Sequence, residues 1–290
     1  MKRNMTSKTS ALEKYQIVLA AFGTSMGPKA AYTSMQVRFQ ERFRQRIPVG
    51  FTSRVGEPKL KEVLEGLPAD GELVVVIAPI FMVEGQVVKR DIVAAARECE
   101  HRFKEIRIAR PLLPDDRVFT VVKHEVASRL KNVPPGGTGI IFVGHGTPDD
   151  RAAEIYGDCS RQVDSLFASP FKAAFGNLES TAPYLGESLG ALIMSGIGTL
   201  LVQPFMIVHG VHMHDDVKGA LEAQDPDNKL FRFLLDRYGE GVKGRLNEIR
   251  RIYMPGLGAY PGVFQIFADH TLQALSDGES LTGQERHVTP

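Results

Sequence analysis

The feature that most constrains this 290-residue sequence is that it carries one pattern twice. Ala78-Pro79-Ile80-Phe81-Met82-Val83-Glu84-Gly85-Gln86-Val87 lies over Gln203-Pro204-Phe205-Met206-Ile207-Val208-His209-Gly210-Val211-His212. Pro79 falls over Pro204 at an offset of 125, and Asp91 over Asp216 at the same offset. A second pair, Ala21-Phe22-Gly23-Thr24 over Gly144-His145-Gly146-Thr147, gives 123. Two separate stretches with nearly one period imply two related lobes. The cluster Pro134-Pro135-Gly136-Gly137 has linker chemistry and falls between the copies, which sets an N-terminal lobe at 1–135 and a C-terminal lobe at 136–290.

Within each copy, short β-branched runs alternate with stretches of helical periodicity. Strands are expected at 16–22, 49–53, 73–78, 106–110, 139–143, 171–175, 199–203 and 249–254. Helices are expected at 30–46, 59–67, 87–102, 116–131, 150–167, 184–194 and 263–275. The fold class is therefore α/β: two pseudo-repeated flavodoxin-like lobes, each a parallel sheet flanked by helices. Ligands of such sheets bind beyond the carboxyl ends of the strands, so a site in the cleft between the lobes is expected.

Thirty-five Lys and Arg against 34 Asp and Glu leave a formal charge of +1, which gives no general field for nucleic acid or an acidic membrane. The two cysteines, Cys99 and Cys159, form no CxxC pair; they exclude a disulfide scaffold and favour a reducing compartment. The basic start Met1-Lys2-Arg3-Asn4 runs into polar residues rather than an apolar core, so a cytoplasmic protein is expected. The uncharged stretch 188–208 is interrupted by Gly190, Gly196, Gly198, Gln203 and Pro204, a pattern of buried helix end, turn and buried strand rather than a membrane span.

The two copies are unequal where chemistry is expected. Phe22 stands over His145, Glu84 over His209 and Val87 over His212, so at these three positions imidazoles occur only in the second copy. His209, His212 and His214 fall within six positions, beside Asp215 and Asp216. Neutral imidazole and carboxylate are ligands for borderline divalent metals, and imidazole accepts protons near neutral pH. A polar loop capped by the two aspartates is the plain alternative. His145 follows a strand between two glycines, and Asp149 or Asp150 is placed to cap the helix after it. Glu179 stands at a strand end, either as an acid beside the imidazoles or as a cap of the next helix. Gly23-Thr24-Ser25-Met26-Gly27-Pro28 is an anion-receptive turn near Lys29 without a P-loop or Gly-x-Gly-x-x-Gly pattern, so nucleotide binding has little support. Tyr32, Arg54, Lys89 and Arg90 are further contacts for a carboxylate-bearing ligand or ordinary structural residues, and residues 81, 82, 205 and 206 belong to the core. Segment 215–241 reads as a lid or as an oligomer contact.

Phe22-Gly23-Thr24-Ser25, Gly144-His145-Gly146-Thr147, Asn177-Leu178-Glu179-Ser180 and the 203–212 run, in this order, together resemble the class II chelatases, most nearly the anaerobic sirohydrochlorin cobaltochelatases of CbiK type. The resemblance runs from about residue 16 through Met254-Pro255-Gly256-Leu257-Gly258 into the final helix. It implies insertion of Co2+ into sirohydrochlorin on the route to cobalamin. His145 and His212 would handle the metal with Glu179 as their acidic partner, in both catalytic and metal-ligand roles. Gly23, Thr24, Ser25, Glu84 and His209 would contact the substrate. No cofactor beyond the substrate metal ion is implied. The partners are the tetrapyrrole and the divalent ion, without nucleic acid or membrane, and a homo-oligomer stays open. Family members often carry a polar or histidine-bearing first-lobe loop where this chain has Ile80-Phe81-Met82. Two other readings stand: Fe2+ insertion for sirohaem or haem, and a non-catalytic tetrapyrrole or metal carrier.

Overall fold

The computed structural model describes residues 14–23, 29–53, 55–134, 137–167, 171–208, 210 and 212–277. The first lobe holds β1 (Tyr15–Ala21), β2 (Val49–Phe51), β3 (Asp70–Pro79) and β4 (Phe103–Ile108), in the sheet order β2-β1-β3-β4. The second holds β5 (Thr138–Gly144), β6 (Lys172–Asn177), β7 (Thr199–Pro204) and β8 (Arg250–Tyr253), in the order β6-β5-β7-β8. Every pairing is parallel. The two strand orders are equivalent, so the repeat in the sequence is a repeat of topology.

Side chains explain why the strands read as unbroken apolar runs. Ile17 and Leu19 enter a central core, while Val18 and Ala20 enter an outer one; in the second sheet Ile140 and Phe142 point to the central core, and Ile141 and Val143 to the far side. A strand covered on both faces has no position at which a polar residue meets water. The helices that supply the cover are α1 (Lys29–Phe43), α2 (Leu60–Glu65), α3 (Val93–Cys99), α4 (Arg117–Leu130), α5 (Asp150–Leu166), α6 (Leu185–Met194), α7 (Lys229–Tyr238), α8 (Gly241–Glu248) and α9 (Pro261–Asp277). Among the described residues no helix is long and apolar enough to cross a membrane.

Several elements differ from the expected helical pattern, and α7 and α8 lie where no helix is expected. The stretch expected as one helix from 87 begins as a π-helical turn, Val87–Ile92, and a longer π-helix, His212–Ala223, occupies the corresponding place in the second lobe. The 215–241 segment is this π-helix followed by α7; the π-helix packs on α7, and α7 and α8 pack on α6. It is a covering layer of the second sheet rather than a lid. Strand β4 begins at Phe103, ahead of the expected 106, because the 3-10 turn Glu100–Arg102 already ends the preceding helix.

The last helix crosses back. Helix α9 follows β8 but packs on α1, α4, β3 and β4, with Phe264 edge-on to Phe39 at 5.3 Å between ring centroids. In the other direction Phe119 of α4 stacks on Phe205 beyond β7 at 5.7 Å. One central core thus joins both lobes, and α9 contributes the buried Val263, Ile266 and Phe267 to it. A fragment ending at 135 would leave that face of the first sheet without its cover. It is expected to show no cooperative thermal transition, and a sharp, reversible transition of the fragment alone would contradict this shared core.

Polar contacts secure the same junction. Arg107 donates to the Leu275 carbonyl at 2.6 Å, and the buried His270 places Nε2 3.0 Å from Asp115 Oδ2 and Nδ1 3.2 Å from the Arg110 carbonyl. Burial pushes the Asp115 carboxyl up, but hydrogen bonds from Arg117 and His270 outweigh it and hold the group at about 2, below its ordinary 3.8. A carboxyl lowered in the folded state adds stability that is complete above its unfolded pKa and disappears as pH falls through the folded one. Asp115→Asn is therefore expected to cost about 2 kcal/mol at pH 7 and to flatten the loss of stability between about pH 4 and pH 2. Urea unfolding across a pH series checks this, and an unchanged acid limb would refute it.

Candidate active site at the strand ends

Beyond the sheet the chain segments after β5 and β6 remain stitched together. Leu178 N–H donates to the Gly144 carbonyl and Glu179 N–H to the His145 carbonyl, each at 3.0 Å. The Thr181 hydroxyl donates to the Thr147 carbonyl at 2.6 Å and accepts from Thr147 N–H at 3.1 Å. This crossing requires glycine at 146: its φ is +86°, and a Cβ there would lie 1.8 Å from the Glu179 carbonyl oxygen. The outcome is that His145 and Glu179, distant in sequence, are neighbours at the carboxyl edge. Their surroundings differ, His145 being half-buried and Glu179 exposed. His145 Nδ1 lies 3.3 Å from the Gly146 carbonyl oxygen.

Glu179 does not cap the next helix, since Tyr184 holds the N-cap of α6. Asp149 does cap α5, accepting from Ala152 N–H at 3.0 Å. The same carboxylate receives Lys89 of the first lobe at 3.0 Å, and these hydrogen bonds, the Ala152 N–H foremost, lower its pKa. Close by, a Cβ on Gly85 would lie 3.8 Å from Thr147 Oγ1. The 84–89 segment of the first lobe therefore abuts the His145 loop. Glu84, exposed, belongs to that segment.

After β7, Phe205, Met206 and Ile207 are buried. Their backbone is held by Leu257 N–H to the Met206 carbonyl at 2.8 Å and by Gly258 N–H to the Ile207 carbonyl at 2.9 Å. The backbone of His212 opens the second π-helix at this edge; its side chain and all of His209 lie outside the described residues. His214 is exposed and pairs with Asp215 at 2.8 Å. Strands β5 and β7 are direct neighbours, so the His145 and 205–212 segments leave adjacent positions of one sheet. Among the described residues no three His, Cys, Asp or Glu side chains converge as metal ligands.

In the first lobe Gly23 is buried, and a Cβ there would lie 2.4 Å from Gly56 Cα; Ser53 donates to its carbonyl at 2.7 Å. Packing therefore accounts for this glycine. Thr24, Ser25 and Arg54 lie outside the described residues. Phe22, at the position of His145 in the repeat, is exposed at the end of β1. Burial, partly offset by a hydrogen bond with the Phe22 backbone, pushes the Tyr32 phenol up to about 12. Arg90 pairs with Asp91 at 2.7 Å, and with Lys89 held by Asp149 both cations are engaged within the protein. Sequence reasoning missed the Lys89–Asp149 bridge, the Thr147–Thr181 stitch and Asn177. Thr147 and Asn177 lie inside motifs already singled out; the pairing of Thr147 with Thr181 and of Lys89 with Asp149 does not show in the sequence.

The arrangement of two parallel four-stranded lobes recurs in solved chelatases. SirB from Bacillus subtilis with Fe3+ is 15% identical over 91% of this chain and 96% of its own, with a TM-score of 0.64. The sirohydrochlorin chelatase SirB from Bacillus subtilis subspecies spizizenii in complex with cobalt is 14% identical over 93% and 98%, with a TM-score of 0.60. CbiX, described as the terminal enzyme for biosynthesis of siroheme in denitrifying bacteria, is 17% identical over 90% and 100%, with a TM-score of 0.59. No curated protein matches the chain. The fold is thus that of the two-lobed chelatases. The chain belongs to the CbiX family, whose model matches residues 16–129 and 139–274, and with it to the class II chelatases. The two matched segments lie on either side of the expected lobe boundary at 135/136.

Proposed function

We propose that this chain inserts a divalent metal ion into sirohydrochlorin, with Co2+ as the metal and anaerobic cobalamin synthesis in the cytoplasm as the setting. One observation carries the reading: an imidazole and a carboxylate, His145 and Glu179, stand on strand-end loops joined by the Glu179 N–H to His145 carbonyl hydrogen bond. The backbone of His212 leaves the same sheet edge. The lobes are taken as 1–135 and 136–290, exchanging α4 and α9 contacts across the central core.

Insertion replaces two pyrrole N–H protons by one divalent cation, so the site must accept two protons while the ion sheds water. Imidazole suits both tasks, because its neutral form binds borderline metals and its conjugate acid forms near neutral pH. In this reading His145 and His212 guide the ion and receive protons, and Glu179 offsets the positive charge that gathers there. Glu84 stands on the first-lobe side as a second acid, and His209 touches substrate. The carboxylates of sirohydrochlorin are received at the Gly23, Thr24 and Ser25 turn by backbone N–H groups and hydroxyls.

Iron is the second reading, favoured by the Fe3+ in one SirB structure and by the siroheme role printed for CbiX. Residue type does not decide between them, since both ions accept imidazole and carboxylate. Initial rates measured anaerobically with sirohydrochlorin and equal concentrations of Co2+ or Fe2+ test the choice. Faster cobalt insertion is expected, and faster iron insertion would install the second reading. Saturable tetrapyrrole binding without acceleration over the uncatalysed rate would leave a carrier.

A further inference from the structure

Asn177 is the last residue of β6, paired in register with Gly144 of β5, and is wholly buried. Its backbone N–H donates to the Pro183 carbonyl at 2.8 Å, but neither its side-chain oxygen nor its side-chain nitrogen has a hydrogen-bond partner. The amide lies on the face that Phe175 presents to the central core, the face turned toward the first lobe. It fits only because both glycines that flank His145 give way. A Cβ on Gly144 would lie 2.3 Å from Asn177 Oδ1, and one on Gly146 would lie 3.3 Å from Asn177 Cβ. The chain thus places a donor and an acceptor directly beneath the turn that carries His145, and leaves both unmatched.

A buried amide without partners is unfavourable, and leucine of nearly the same shape would fill the space without that cost. Local rules broken in this way, next to a reactive group, mark function rather than packing. We infer that Asn177 is a positioning residue for the proposed metal insertion: on loading of the site its unmatched amide takes up a hydrogen bond to the Gly144–Gly146 turn that lies against it, and so holds His145 in the reacting geometry. The inference rests on the chelatase reading of this same edge. It assigns Asn177 no contact with substrate.

Asn177→Leu, Asn177→Ser and the wild-type chain, each as the full-length protein, are compared in anaerobic metallation of sirohydrochlorin with Co2+ and in thermal unfolding. Asn177→Leu is expected to keep or raise Tm while kcat falls about tenfold to a hundredfold, the range seen when groups that orient metal-handling side chains are removed. KM for sirohydrochlorin stays within about twofold, because binding is untouched while the reacting geometry is lost. Asn177→Ser, which keeps a hydrogen-bonding group, recovers part of the lost kcat. Wild-type kcat in Asn177→Leu overturns the inference, as does a loss of rate that only tracks a loss of Tm or that Ser does not mitigate. If the wild-type chain itself fails to metallate sirohydrochlorin with either ion, the chelatase reading falls, a result distinct from a fast wild type with unaffected variants.

Discussion

His145→Ala lowers the metallation rate by about 10²–10⁴-fold, the range expected when a positioned proton acceptor is removed. The fold survives this change. His145 is half-buried, and its carbonyl, which accepts from Glu179 N–H, is unaffected by loss of the ring. Tm should move by no more than a few degrees, since the stitched loops keep their backbone hydrogen bonds. Retention of even a tenth of the wild-type rate would show that the imidazole is not the proton or metal acceptor.

Gly146→Ala is the second large effect, and it acts without touching a side chain of the site. The added methyl carbon would lie 1.8 Å from the Glu179 carbonyl oxygen, at a φ of +86° that L-residues avoid. Backbone on both sides has to move, so the His145 and Glu179 loops part. The expected cost is about 3 kcal/mol or more in stability, with a rate below about one hundredth of wild type. Gly196→Ala supplies the control. Gly196 has a φ of +83° but nothing within 4 Å of a Cβ, and it precedes β7 at the opposite edge of the sheet. It should cost roughly 1 kcal/mol and leave the rate intact. Equal effects of the two substitutions on rate would mean that strain alone, rather than separation of the loops, accounts for the loss.

The two-lobe architecture was legible because its signals are local and repeated. Each strand is a short apolar run, and the Pro79 and Pro204 loops mark equivalent strand ends, so both strand orders follow one plan. The exchange of α9 was not legible. Its periodicity announces an apolar face, but Val263 and Phe267 would suit either sheet, and the choice lies in distant partners such as Phe39 and Arg107. The π-helices were hidden for a related reason. Nothing in residues 87–92 breaks a helical pattern, and the wider turn is set by what the segment packs on.

The site divided along the same line. His145 and Glu179 stood out because polar, titratable residues at strand ends are chemically conspicuous. What brings them together, the Gly146 clearance and the Thr181 stitch to Thr147, depends on pairs of loops far apart in the chain. Asn177 was quoted within its motif and passed over, since an asparagine at a strand end usually finds a partner, and only the packed structure reveals that this one has none.

Absorbance-monitored metallation under anaerobic conditions, with purified protein, sirohydrochlorin and Co2+ or Fe2+ beside a protein-free control and the His145→Ala/His212→Ala double variant, tests the central claim most directly. The account predicts multiple turnovers well above the uncatalysed rate, lost in the folded double variant. A wild-type rate no greater than the protein-free control, or a double variant as fast as wild type, would contradict it.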